Sequence, residues 1–165
     1  MSPLVNDQDT YQIPHTTKVK VVYGSENGLL GRTRILSEWM SDGETYLDVG
    51  CSDGEVVGSV GGRCSKAVGL DVDTRTMAEA KKRYPDFEFV LGSADNLPFE
   101  DESFTTVSML DVLEHVPNPE KSLSEIDRVL QPGGHLIISV PHKGSFWYID
   151  CLLYTSPSPR DGLLS

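Results

Sequence analysis

Apolar positions in the middle of the chain fall into two rhythms. Short continuous runs, among them Tyr46-Leu47-Asp48-Val49, Ala67-Val68-Gly69-Leu70 and Leu136-Ile137-Ile138, read as strands buried on both faces. Between them apolar residues recur at spacings of three and four, as in Met77 with Ala80 and Leu123 with Ile126 and Leu130, which is the spacing of a helix laid on a sheet. The pattern predicts strands near residues 45 to 49, 66 to 70, 88 to 91, 105 to 109 and 135 to 140, with helices near 54 to 62, 74 to 84 and 119 to 130. Leu29, Leu30, Ile35, Leu36 and Trp39 add a leading helix before Ser41-Asp42-Gly43. Such alternation predicts a Rossmann-like, doubly wound, mostly parallel α/β sheet.

Boundary signals agree with that layout. Asp73 is placed to cap the helix carrying Met77, and Asn118-Pro119 is a cap followed by proline at the first helical position. Gln131-Pro132-Gly133-Gly134 is expected to end the last helix and turn the chain into the final strand.

Chemistry concentrates where the first of these strands ends. In Tyr46-Leu47-Asp48-Val49-Gly50-Cys51-Ser52-Asp53-Gly54 an acid closes the apolar run, and Gly50 and Gly54 let the backbone turn tightly and approach a ligand. Open α/β sheets bind ligands at the carboxyl ends of their strands, so Asp48 brings negative charge to that crevice and suits a cationic ligand. The next strand also ends in an acid, Asp71, about 20 residues on, as expected for a ribose-binding carboxylate. Its two oxygens can accept from both hydroxyls of a ribose.

A dinucleotide fits less well. That fingerprint wants glycine at its first, third and sixth positions, and here they hold Gly50, Ser52 and Glu55. Glu55 also puts negative charge where a pyrophosphate would sit at a helix N-terminus.

With these residues in view the chain resembles the class I S-adenosylmethionine-dependent methyltransferases, whose first motif is an acid followed by spaced glycines. Asp48, Gly50 and Gly54 match it, and Ser52 replaces the middle glycine. Gly92-Ser93-Ala94-Asp95-Asn96-Leu97-Pro98-Phe99 is similar to the family's adenine-side loop. Ser103-Phe104-Thr105-Thr106-Val107 is similar to the start of its fourth strand, Asp111-Val112-Leu113-Glu114-His115-Val116 to the turn after it, and Arg128 to Leu136 to its helix end and fifth strand. Ser93 and Thr105 stand where the family often carries acids.

The resemblance implies S-adenosyl-L-methionine as cofactor and a site drawn from Asp48, Gly50, Cys51, Ser52, Gly54, Asp71, Val72, Ser93, Ala94, Asp95 and Leu110. Methyl transfer from a sulfonium is an in-line displacement, so positioning and exclusion of water are the main demands. A hydroxyl acceptor also needs a base, and His115, after the fourth strand, is the candidate. A short structural helix formed by Asp111, Glu114 and His115 is the competing reading of those residues. His142, Phe146, Trp147 and Tyr148 are placed to border an acceptor pocket or to cover the core.

Composition narrows the acceptor. With 14 basic against 25 acidic residues the formal charge is -11, which repels polyphosphate and points to a small-molecule acceptor rather than nucleic acid. The loop after the fourth strand also lacks the Asn/Asp-Pro-Pro-aromatic sequence of amino-directed DNA methyltransferases. No apolar run approaches the ~20 residues of a membrane span, and the polar first 20 residues hold no signal-peptide core. Cys51, Cys64 and Cys151 lack metal-ligand spacing and read as reduced thiols, which gives a cytoplasmic expectation and no metal site. The oligomeric state is not indicated.

The organisation expected is a polar segment over 1–20, a methyltransferase domain over 21–150, and a tail over 151–165 that resembles translated adapter sequence. Five strands are expected, with the last two of the family fold missing and the edge of the fifth left open as an aggregation liability. The expected function is methyl transfer to a small-molecule, glycan or lipid-pathway acceptor. A non-catalytic cofactor-binding or interaction fragment is the alternative, and an NAD(P)-dependent oxidoreductase the third reading.

Overall fold

A computed structural model describes residues 10–12, 18–23 and 28–140, with side chains from residue 33 onward. The chain runs β1 (Thr10–Gln12), β2 (Lys18–Tyr23), α1 (Gly28–Trp39), β3 (Thr45–Val49), α2 (Glu55–Val60), β4 (Lys66–Asp71), α3 (Thr74–Arg83), β5 (Glu88–Leu91), β6 (Phe104–Leu110), α4 (Pro119–Val129) and β7 (Leu130–Val140). Single 3-10 turns at Gly61–Arg63 and Leu113–His115 follow α2 and β6.

The strands form one sheet in the order β1-β2-β7-β6-β3-β4-β5. From central β3 the chain builds outward through β4 to β5, then returns to β6 on the other side of β3 and continues to β7. These five strands are mutually parallel. The reversal falls between β3 and β6, the switch point at which open α/β sheets bind ligands.

Side-chain alternation on the strands sorts the core into two layers. Leu47 and Val49 of β3, Val107 and Met109 of β6, and Leu136, Ile138 and Val140 of β7 pack with Leu123, Ile126 and Val129 of α4. On the opposite face Tyr46 and Ile137 pack with Leu36 of α1, Val56, Val57 and Val60 of α2, and Met77 and Ala80 of α3. The period of two along each strand thus feeds helices on both sides, as a doubly wound sheet requires.

Both predicted caps form. The Asp73 carboxylate accepts from the N–H groups of Arg75 and Thr76, and the Asn118 side chain accepts from Lys121 N–H with Pro119 opening the helix. Gln131-Pro132-Gly133-Gly134 does not separate helix from strand. Pairing of Phe104 with Leu130 resumes at Thr106 with His135, so these residues form a bulge inside β7, with Gly133 at φ 81°.

Two further strands come from the N-terminal segment, and the expected open edge is corrected by them. β2 runs parallel to β7, from Lys18 opposite His135 to Tyr23 opposite Val140, and β1 adds an antiparallel strand outside it. β2 therefore crosses the expected boundary at residues 20 and 21. Among the described residues no helix is long and apolar enough to cross a membrane.

Candidate cofactor site

The carboxyl ends of β3 and β4 carry the candidate site residues. Leaving β3, the chain folds back on β4 through two bonds to one carbonyl: Gly50 N–H and Cys51 N–H both donate to Leu70 O, at 2.7 and 3.0 Å. Gly50 sits at φ 80°, and a Cβ there would collide with the side chain of Val112, so only glycine fits the turn against the segment after β6. Gly54 is also left-handed, at φ 77°, and a Cβ there would stand 2.6 Å from the Phe89 ring. The two glycines are required for different reasons, one by the segment after β6 and the other by β5.

Ser52 occupies the position where the motif normally has glycine, and the backbone shows why glycine is favoured there. Its φ is 48°, a left-handed conformation that costs a side-chain-bearing residue of order 1 kcal/mol. The conformation turns Ser52 N–H onto Asp71, whose Oδ2 accepts it at 2.9 Å, while Asp71 Oδ1 accepts from Asp73 N–H at 3.0 Å. Asp71 O accepts from Gly92 N–H at 2.9 Å, which ties in the loop after β5. One residue thus joins the glycine turn, the start of α3 and the Gly92 loop. Each Asp71 oxygen keeps acceptor capacity beyond the one backbone bond it accepts.

Val72, next to Asp71, is an exposed large apolar side chain at the same edge, and Leu91 at the end of β5 is another. Val72 is among the residues expected at the site from the sequence, whereas Leu91, in a short strand, carries no such signal. Ser93 O accepts from Asn96 N–H at 3.1 Å, so Ser93 to Asn96 form a tight turn with Ala94 buried and Asp95 partly exposed. Leu110 and Cys51 are buried in the layer under α1 to α3. Burial, then the charges of Asp48 and Asp71, push the Cys51 thiol well above its ordinary range, so it packs as a neutral group.

Asp48 does not line an open surface. It is 2% exposed and stands behind the turn, where Ser108 Oγ donates to its Oδ1 at 2.6 Å. His115 lies at the end of the 3-10 turn after β6 with its side chain 78% exposed, and its Nε2 is 4.0 Å from Glu114 Oε1. The other Glu114 oxygen is buried without a hydrogen-bond partner. His142, Phe146, Trp147 and Tyr148 lie outside the described residues. Among the described residues no group of three or more His, Cys, Asp or Glu side chains is arranged to hold a metal.

The Gly92 loop rests on a support from α4 that no local sequence signal marks. Arg128 of α4 donates to the carbonyls of Leu97 and Phe99 at 2.9 and 2.8 Å and to Asp101 at 2.9 Å. It also makes a two-pronged contact with Glu125 at 2.8 and 2.9 Å. Glu125 in turn accepts from Leu97 N–H at 2.8 Å. Spaced three apart on a helix, Glu125 and Arg128 look like an ordinary surface pair in the sequence.

Fold and site together define a nucleoside-binding class of open α/β domains: a glycine turn at the switch point, coupled to an acid ending the neighbouring strand. Similarity to known proteins narrows the class. A family model described as a methyltransferase domain matches residues 47–138, and the chain belongs to that family. A protein of Mycolicibacterium smegmatis named as a probable S-adenosylmethionine-dependent methyltransferase is 33% identical over 104 residues, covering 63% of this chain and 40% of its own. The demethylmenaquinone methyltransferase of Renibacterium salmoninarum is 35% identical over 97 residues, with 59% and 41% covered. Among solved structures, the PH0226 protein of Pyrococcus horikoshii OT3 superposes with a TM-score of 0.59 at 26% identity, over 70% of this chain and 60% of that one. The chain therefore spans about two fifths of the length of these curated relatives.

S-adenosyl-L-methionine, the cofactor this family implies, fits the residues present. Gly50 and Gly54 let the turn pack closely on Val112 and Phe89, Asp71 has acceptor capacity for a ribose, and Val72 offers an apolar surface beside it.

Proposed function

We propose that this domain binds S-adenosyl-L-methionine at the ends of β3 and β4 and transfers its methyl group to a small-molecule acceptor. The observation that carries the reading is the 2.9 Å bond from Ser52 N–H to Asp71 Oδ2, which makes the glycine turn and the ribose acid one preformed unit. When bound, the cofactor supplies an electrophilic methyl group on a sulfonium. Gly50, Cys51, Ser52 and Gly54 give it backbone, Asp71 accepts from its ribose hydroxyls, and Val72 covers its apolar base. Ser93, Ala94 and Asp95 border the base from the Gly92 loop, held in place by Arg128 and Glu125. Leu110 closes the site from below, and Asp48 supplies negative charge from behind the turn.

His115, exposed at the same end of the sheet, takes the proton of a hydroxyl acceptor. The charge of -11 favours neutral or cationic acceptors over anionic ones. The relative named as a demethylmenaquinone methyltransferase supports a small-molecule acceptor. The free thiols of Cys51 and Cys64 suit a cytoplasmic setting.

Calorimetric titration with S-adenosylmethionine tests the reading. Asp71→Ala removes a charged acceptor of two ribose hydroxyls and the anchor of Ser52, and is expected to weaken binding by roughly 100-fold, about 3 kcal/mol. Equal affinity in Asp71→Ala and the parent would refute it.

A further inference from the structure

Among the described residues, one buried side-chain oxygen has no hydrogen-bond partner: Oε2 of Glu114, on a side chain only 9% exposed. Orphaned buried polar atoms are rare in folded proteins, because each gives up its hydration and gains nothing in return. A ligand that supplies the missing bond accounts for one.

The turn that carries Glu114 is pinned beside the cofactor site. Asp111 leaves β6 at φ 54°, in the left-handed region, and is tied to β7 by its N–H to Ser139 O at 3.0 Å and by Ser139 Oγ to its Oδ1 at 2.8 Å. His115 N–H closes the 3-10 turn on Val112 O at 2.8 Å. Val112 packs where a Cβ on Gly50 would stand, and Leu113 is fully buried in the layer under α4. Glu114 is thus held between the glycine turn and His115. Its Oε1 is 4.0 Å from Nε2 of His115, whose side chain is 78% exposed. That separation is too long for a direct hydrogen bond, but a single oxygen atom about 2.8 Å from each group spans it.

A hydroxyl is the group that completes this arrangement. It has one proton to donate and two lone pairs to accept with, so it satisfies the Glu114 carboxyl whether that carboxyl is ionised or protonated. An ammonium only donates and an ether only accepts, so each suits one of those states alone. The terminal torsion of glutamate is soft, which lets either oxygen turn toward the ligand. Resting on the cofactor reading above, we propose that Glu114 is a specificity-determining residue that binds the hydroxyl of the acceptor, with His115 beside it on the same oxygen. The hydroxyl oxygen bonds to the methyl carbon, the carbon–sulfur bond breaks with its electron pair left on sulfur, and the hydroxyl proton passes to His115 Nε2. The acceptor class is therefore a small molecule that carries a free hydroxyl.

A matched pair of probes, 1-naphthol and 1-methoxynaphthalene, tests the inference by calorimetry on the full chain saturated with S-adenosylhomocysteine, which prevents turnover. The parent is expected to bind the hydroxyl probe about 10-fold more tightly than the ether, and Glu114→Met to bind the two within about 2-fold of each other. Glu114→Gln, whose amide still donates and accepts, is expected to keep part of the preference. Ligand-free Glu114→Met should melt no lower than the parent, because it removes an unsatisfied group, and both variants should bind S-adenosylmethionine within about 2-fold of the parent. A parent without the preference overturns the inference, as does a preference that survives in Glu114→Met. A lower melting temperature in Glu114→Met overturns it in favour of a structural role, and weakened cofactor binding overturns it in favour of a place in the cofactor site. A parent that does not bind S-adenosylmethionine removes the cofactor reading and this inference with it, whereas a parent that binds it without discriminating the probes removes the inference alone.

Discussion

Replacing Arg128 with methionine keeps most of the side chain's length and removes its guanidinium, which isolates the contribution of the brace under the Gly92 loop. Two backbone carbonyls, Leu97 O and Phe99 O, lose charged donors, and Glu125 loses its two-pronged partner. Charged hydrogen bonds contribute about 1.5 to 3 kcal/mol each where water is excluded, but the bonds share one donor group and are not additive. With the Arg128 side chain 30% exposed, solvent screening brings the expected loss to about 3 kcal/mol for the whole cluster. Urea unfolding reads the global part, and hydrogen exchange of residues 92–101 reads the local part, which should exceed that of β3 or β6. The pH dependence has a definite sign. Glu125 is held below its ordinary range, chiefly by its bond to Arg128, so its contribution is complete above about pH 4.3, the ordinary glutamate value. It is lost as pH falls through the lowered folded value. The stability gap between parent and Arg128→Met should therefore be flat above that pH and shrink on acidification. A gap that widened in acid, or loop exchange unaltered by the substitution, would refute the reasoning.

Other substitutions test other parts of the site. Gly50→Ala forces φ 80° on a residue with a Cβ and drives that Cβ into Val112, for an expected loss of about 3 kcal/mol measured by thermal unfolding. A melting temperature equal to the parent's would contradict the packing described for the turn. Cys51, kept neutral by burial and by the neighbouring acids Asp48, Asp71 and Asp53, should react with iodoacetamide at pH 8 at least ~100-fold more slowly than free cysteine, read by peptide mass spectrometry. Labelling of folded protein at the rate of an open thiol would count against it. His115→Ala, altering a side chain set out in solvent, should leave S-adenosylmethionine affinity within about 2-fold of the parent in calorimetry; a larger loss would place His115 in the cofactor site instead.

The elements legible in the sequence are those whose signals are local. Strands β3, β4 and β5 follow from short apolar runs, and α3 and α4 follow from their caps at Asp73 and Asn118. The bond between Ser52 and Asp71 joins residues at a spacing legible in the sequence, because the distance from turn to acid is fixed by one strand, one helix and their connections. The bulge in β7 looks like a turn in the sequence because Pro132-Gly133-Gly134 carries the same local chemistry in both settings, and only the pairing of Phe104 and Thr106 decides between them. Strand β2 was missed although Lys18-Val19-Lys20-Val21 alternates, since four residues of alternation do not say which distant strand will receive them. The bonds between Tyr46 and Ser108 and between Arg128 and Leu97 were out of reach for the same reason: each joins residues that only the finished sheet brings together.

The parallel pairing of β2 with β7 sets an order of assembly. A ribosome releases β2 well before β7, which follows the rest of the described sheet, so the earlier strand waits without this neighbour while synthesis proceeds. Closing so long a loop delays that last contact relative to the local β3 to β5 unit, and leaves the β7-facing edge of β2 unpaired until β7 arrives.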